Sequence, residues 1–364
     1  MTGLIDRTAL PLWSLALPVI GVIAMLFSLA KIGGAGVIIA AAILIGCVIA
    51  AVHHAEVVAH RVGEPFGTLI LAVAVTVIEV SLIVSLMLSG SGDTATLARD
   101  TVFAAIMIIL NGIVGICILV GGVSHHEQRF VQRGVSAALG VLAAMAVLSL
   151  VLPNYTATTP GPFYSSSQLA FTAIISLILY GTFVLIQTVR HRDYFLPAVE
   201  GELPKDLHAP PPRNREAWAA FGVLLVALVA VVLLAKDLAP TVEAAVLGAG
   251  LPLAIVGVVI AALVLAPESL AAVKAARRNR LQTSLNLALG SALATIGLTI
   301  PTVAIVSLAM GWDLALGIDP KGLTLLGLSL LVAVLSLGTG RTTVLQGVVH
   351  LVIFAAYLFT TIVP

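Results

Sequence analysis

The chain has 364 residues, of which 60% are hydrophobic and 10% charged, with a net charge of +1 and a mean hydropathy of +1.15. Soluble domains carry about one quarter charged residues, so this is the composition of a membrane protein, and the lack of a concentrated basic excess excludes a nucleic-acid partner. The two cysteines, Cys47 and Cys117, lie in apolar stretches without a CxxC or histidine companion, which excludes a disulfide framework and a zinc site of the usual spacing.

In chain order, apolar segments near residues 10–30, 35–52, 65–88, 100–122, 134–152 and 168–189 each approach the roughly 20 residues that cross a bilayer as a helix. No signal-type cleavage site follows the first, so it is expected to stay as an anchor, with the mature chain beginning near Met1. Residues 190–216 hold Leu203-Pro204, Ala209-Pro210-Pro211-Pro212 and mixed charges, and read as a flexible linker. Further segments near 217–235, 252–274, 281–310, 322–338 and 344–363 bring the expected total to eleven transmembrane helices in an all-α integral membrane protein. Loop charge tests this count, because short cytoplasmic loops collect Lys and Arg. With the N-terminus inside, 14 of the 18 Lys and Arg fall on the cytoplasmic side and 4 (Lys31, Arg99, Lys236 and Lys321) on the other. A missed span would scramble that ratio. The linker is then cytoplasmic and the C-terminus outside.

Of the 17 acidic residues, all but Glu79 and Glu268 are expected in loops, termini or helix ends. A charge at the bilayer centre costs roughly 2.5–3.5 kcal/mol on insertion scales, which makes an intramembrane acid a functional candidate. A single such glutamate also reads as a protonated carboxyl bonded to a neighbouring helix, but these two occur in matching contexts, each somewhat past the middle of its span. They are five spans apart, and an odd number of crossings reverses direction. Two five-helix units of similar pattern must therefore be inverted repeats, an arrangement that brings sites to the midplane. The expected division is an extra helix over 1–34, repeats over 35–189 and 217–364, and the 190–216 linker between them. Two carboxylates with surrounding oxygens suit a hard divalent cation, which takes 6 to 8 oxygen ligands, and the same pair binds protons.

Further oxygens are expected from Thr76, which shares a helical stripe with Thr68 and Glu79, and from Ser291, on a stripe with Ser284, Thr295 and Thr299 beside Asn286 and Gly290. Asn111, with Gly115 and Gly122, forms a third stripe. Most such small residues serve close helix packing, and Asn111 and Ser291 are singled out as positions where a carboxylate of the preceding helix would be met. Pro267, directly before Glu268, frees a backbone carbonyl one turn earlier, and broken helices of this type offer carbonyls to ions. An ordinary proline kink is the competing reading.

Gly63-Glu64-Pro65-Phe66-Gly67-Thr68-Leu69-Ile70 leading into Ile78-Glu79-Val80, Ala266-Pro267-Glu268-Ser269-Leu270, Asn286-Leu287-Ala288-Leu289-Gly290-Ser291, and Gly340-Arg341-Thr342-Thr343-Val344-Leu345-Gln346-Gly347 with His350-Leu351 resemble the bacterial ChaA-type calcium/proton antiporters of the calcium:cation antiporter superfamily. The likeness covers nearly the whole chain. It implies one extra helix plus two inverted five-helix repeats, paired glutamates that bind calcium or protons in alternation, exchange of sodium and potassium as well, and a bacterial inner membrane location. Two departures stand out. Related eukaryotic exchangers have Gly-Asn before the first glutamate where this chain has Val77-Ile78, and the acidic, histidine-rich linker common in the family is here charge-balanced, which favours a solvated tether.

His53, His54, Glu56, His60 and Glu64 at the entrance of the third span, and His125 and His126, read as wetted helix ends; His350 reads as bonded to a neighbour, and Lys274, Arg277, Arg278 and Arg280 as positive-inside anchoring. The function expected is a non-enzymatic antiporter of calcium against protons, without a cofactor and with membrane lipid and transported cations as its partners. A sodium or potassium antiporter on the same scaffold is the alternative. An intramembrane carboxylate enzyme lacks a substrate-entry motif, and a passive channel has no need of duplicated halves with an acid in each.

Overall fold

The computed structural model describes residues 10–27, 33–63, 66–89, 94–196 and 212–363. Among these residues are eleven helical rods: α1 Leu12–Leu26, α2 Gly34–Val62, α3 Phe66–Ser89, α4 Leu97–His125, α5 Gln132–Tyr155, α6 Ser166–Arg190, α7 Asn214–Gly248, α8 Ala254–Arg277, α9 Leu281–Met310, α10 Pro320–Leu337 and α11 Val344–Ile362. Ten of them are long and apolar enough to cross a membrane. Helix is what a lipid-spanning apolar segment must adopt, since its backbone groups find no partners in hydrocarbon except one another. The eleventh, α1, has 15 residues, about 22 Å at 1.5 Å per residue. The rest of its expected span, residues 28–30, lies outside the described residues, as do Glu64 and linker residues 197–211.

Helix boundaries follow local chemistry. Gly63, at φ 75°, makes the turn from α2 into α3, and a Cβ on Gly67 would lie 2.5 Å from the carbonyl oxygen of Ala59. Capping boxes at Ser165 with Gln168 and at Thr343 with Gln346 start α6 and α11, and Asp319 caps α10 ahead of Pro320.

Two rods overrun the spans expected from hydropathy. α2 runs to Val62, and α7 continues through Lys236, Asp237 and Pro240 to Gly248, 35 residues in all, or about 52 Å against roughly 30 Å of hydrocarbon. Hydropathy registers only the apolar part of a rod, whereas its backbone bonding continues into charged sequence. Glu243, expected in a loop, is therefore helical and buried, at 5% exposure.

Four rods contain π-helical segments: Ile108–Ile113 in α4, Val147–Val151 in α5, Ile186–Arg190 in α6 and Thr295–Thr299 in α9. Each widens the helix by one residue locally, a distortion often found at functional sites.

The helices fall into two compact units that do not follow the division into sequence halves. The first unit contains α1, α2, α3 and α7; α2 packs along α7, and α1 and α3 each pack on both. The second contains α4–α6 and α8–α11. There α8 lies against α4 and α9, and α4 against α11. The α4–α11 contact is made by glycine: a Cβ on Gly347 would lie 2.6 Å from the Leu119 amide nitrogen, and one on Gly115 3.0 Å from the Cβ of His350. The Gly115 and Gly122 stripe thus serves close packing.

The second unit alternates up and down, as its loop bonds show. At one end Gln128–Arg129 (β1) pairs antiparallel with Arg341–Thr342 (β2). Gln128 also donates to the Ala276 carbonyl at 3.0 Å, the Val131 amide to Gln282 Oε1 at 2.6 Å, and Asn286 Nδ2 to the Phe195 carbonyl at 2.6 Å. At the other end Arg99 Nη1 donates to the Gly317 carbonyl, Asn154 Nδ2 to the Ile318 carbonyl and Lys321 Nζ to the Thr360 carbonyl. Arg129, Arg133, Arg190, Arg192, Lys274, Arg277, Arg278, Arg280 and Arg341 belong to the first end, Arg99 and Lys321 to the second.

Candidate functional site

Each candidate glutamate sits in a helix of 24 residues: Glu79 thirteen residues after the first residue of α3, Glu268 fourteen after that of α8. Glu79 is the only charged residue of its rod, and the other charges of α8 are confined to its last turn. In the first unit Glu79 is 2% exposed, on a stripe with Thr76, also buried. The side chain of Thr68, expected on the same stripe, lies outside the described residues. Ile78, Leu82 and Ile83 pack around this part of α3 as buried apolar residues, so the carboxylate is held in low-dielectric surroundings where its charge must be met by a partner.

In the second unit Glu268 is half-buried, and Pro267 lies inside α8. Proline has no N–H, so it leaves the Leu263 carbonyl four residues earlier without its usual helical donor. The hydroxyl of Ser269 donates to the Leu265 carbonyl at 2.6 Å. The helix is thus altered on both sides of Glu268.

Asn111 lies in the middle of the π segment of α4, 0% exposed, with its amide engaged at both ends. Its Nδ2 donates to Ser329 Oγ on α10 at 2.8 Å, and its Oδ1 faces Nδ1 of His350 on α11 at 3.4 Å. Ser329 and His350 are also 0% exposed, and Ser329 donates in turn to the Leu325 carbonyl at 2.6 Å. His350 therefore bonds to a neighbour as expected, and that neighbour is Asn111. Ser291, on α9, is half-buried, while Ser284, Thr295 and Thr299 of its stripe are buried. Asn286 is spent on the Phe195 carbonyl.

Among the histidines, His54 departs from a wetted helix end, while His125 keeps to the partly exposed end of α4. His54 is 0% exposed and its Nε2 bonds the Ser14 carbonyl at 3.0 Å, tying α2 to the start of α1; the ring of Trp13 lies 5.3 Å from that of His53. His125 Nε2 meets the Arg277 carbonyl at 3.1 Å, at the end of α8. Sequence reasoning missed Ser329 as the third member of the Asn111 and His350 network and Glu243 as a buried acid. The only signal for the former was a polar residue in each of three apolar rods, and for the latter there was none.

The sodium/calcium exchanger protein family matches the chain over residues 32–189 and 219–363. The chain is 49% identical to a putative ionic transporter, y4hA, of Sinorhizobium fredii over 97% of each chain. It is 38% identical to the sodium-potassium/proton antiporter ChaA of Escherichia coli over 85% of this chain and 84% of that one. Two solved structures share the fold: native YfkE, with a TM-score of 0.70 at 18% identity over 96% of this chain and 98% of that one, and the H+/Ca2+ exchanger CAX, with a TM-score of 0.72 at 14% identity over 95% and 87%.

Proposed function

Because this chain belongs to the sodium/calcium exchanger protein family, a family of transporters and not of enzymes, we propose that it is a secondary antiporter that carries calcium against protons, with Glu79 and Glu268 as the carboxylates that take cation and proton in turn. The observation that carries this reading is the placement of one glutamate at nearly the same depth in each of two 24-residue apolar helices. An ionised carboxylate there costs roughly 2.5–3.5 kcal/mol, and either a proton or a cation removes the cost. Competition between the two for the same oxygens couples their movements. Calcium takes 6 to 8 oxygens; beyond the carboxylates, the hydroxyls of Thr76 and Ser291 and the carbonyl freed by Pro267 are the candidate donors. Asn111, held by Ser329 and His350, contributes by fixing the π segment of α4.

The inverted-repeat arrangement is part of this proposal. It is supported by five rods in each half, α2–α6 and α7–α11, and by a π segment in the rod that follows each glutamate helix, Ile108–Ile113 and Thr295–Thr299. Orientation rests on charge: in the second unit the end that holds nine Lys and Arg against two is assigned to the cytoplasm. The N-terminus is then cytoplasmic and the C-terminus, at the end of α11, outside, in a bacterial inner membrane.

Glu79→Gln and Glu268→Gln test the reading, since glutamine keeps the shape but trades neither ion. Proton-driven calcium uptake into inverted vesicles should vanish in both, and near-normal uptake in either sinks the assignment. A second reading, sodium or potassium as cargo, draws on the 38% identity to a sodium-potassium/proton antiporter. Competition among the three ions at several pH values separates them: a calcium site is inhibited by micromolar calcium against a large excess of sodium.

A further inference from the structure

The end of α8 and the turn that follows it carry four cations within seven residues, Lys274, Arg277, Arg278 and Arg280. Lys274, Arg277 and Arg278 are exposed and Arg280 is half-buried, and among the described residues none forms an ion pair. One acid of this end, Glu127, is shared between Arg129 at 3.6 Å and Arg341 at 3.5 Å. One turn before Lys274, Leu270 is 74% exposed. Spacings of 4, 7 and 8 put Leu270, Lys274, Arg277 and Arg278 on one helical face, apolar towards the hydrocarbon and cationic at its edge.

Two features favour an anion at this place. The turn is fixed from the neighbouring loop, by His125 on the Arg277 carbonyl and by Gln128 on the Ala276 carbonyl and Asn279 Oδ1. A helix C-terminus ordinarily repels anions through its free carbonyls, but those bonds occupy two of them, so that the guanidinium and ammonium groups set the local sign.

We propose that this face binds the phosphate headgroup of an anionic phospholipid, with an acyl chain along Leu270. Each basic residue near such a surface contributes about a fivefold gain in affinity. The test is native mass spectrometry of the full chain in detergent, titrated with phosphatidylglycerol and with phosphatidylcholine. The wild type should prefer phosphatidylglycerol, and K274Q/R277Q/R278Q/R280Q should lose at least about tenfold of that preference. R129Q/R133Q/R341Q, at the same end, should keep it within about twofold. If the quadruple variant does not purify, K274Q and R278Q alone should each lose about fivefold. Undiminished preference in these variants, equal loss in the R129Q/R133Q/R341Q control, or displacement of the lipid by equimolar inorganic phosphate would each overturn the proposal. The last outcome would identify a soluble anion as the ligand.

Discussion

Removing both partners of the Asn111 and His350 pair should cost less than the two single removals added together. Asn111, Ser329 and His350 are all 0% exposed, joined by contacts of 2.8 and 3.4 Å. Asn111→Leu keeps the volume but takes away the acceptor for His350 Nδ1. A buried polar group left unsatisfied costs about 1–3 kcal/mol, and loss of the bond to Ser329 adds roughly 1 kcal/mol. Ser329 retains its bond to the Leu325 carbonyl, so the second contribution should stay small, and a single-variant loss of about 2–4 kcal/mol follows. His350→Leu should cost somewhat less, because the Asn111 amide keeps its bond to Ser329. The double variant replaces both partners with apolar groups, which is close to neutral in favourable cases, and the coupling should be about 0.5–3 kcal/mol in its favour. Denaturant unfolding of the four proteins in detergent gives the cycle. Additivity of the two single losses to within about 0.5 kcal/mol would refute the partnership.

At the α4–α11 contact, Gly347→Val puts a branched side chain where the Leu119 amide nitrogen would lie 2.6 Å from its Cβ. The backbone cannot yield without parting the helices, so a loss of about 1–3 kcal/mol or more is expected, measured as a lower midpoint of thermal aggregation. His54→Phe, which removes the bond to the Ser14 carbonyl, should cost about 1 kcal/mol and speed protease cleavage near α1. In the loop before α6, burial pushes the Tyr164 hydroxyl, which donates to the Leu148 carbonyl at 2.5 Å, above the ordinary tyrosine value of 10.0. A folded-state pKa above the unfolded one gives stability that is complete below about pH 10 and is lost as pH rises through the raised value. Tyr164→Phe should therefore flatten the alkaline arm of a stability profile; an unchanged arm would show that other groups govern it.

The eleven rods were legible because hydropathy, loop charge and the two intramembrane acids are all functions of local sequence. The ends of α2 and α7 were not, since a helix pays no penalty for leaving the hydrocarbon and hydropathy does not register that it continues. Glu79 and Glu268 stood out as isolated charges in apolar sequence, whereas the engagement of Asn111 depends on Ser329 and His350, more than 200 positions away in the chain. His54 was misjudged for a similar reason: its position suggested water, and its burial comes from α1, a helix that sequence placed but did not pack. The division into contact units had no local signature, because α7 joins α1–α3 across more than a hundred intervening residues.

The seam of Gly115, Gly122 and Gly347 restricts how this sequence can vary over time. With backbone atoms on both sides of the contact, a methyl gained on one rod has to be matched by space opened on the other. Substitutions there should accumulate as compensated pairs, so that correlated change between α4 and α11 would be a heritable record of how closely the two rods approach.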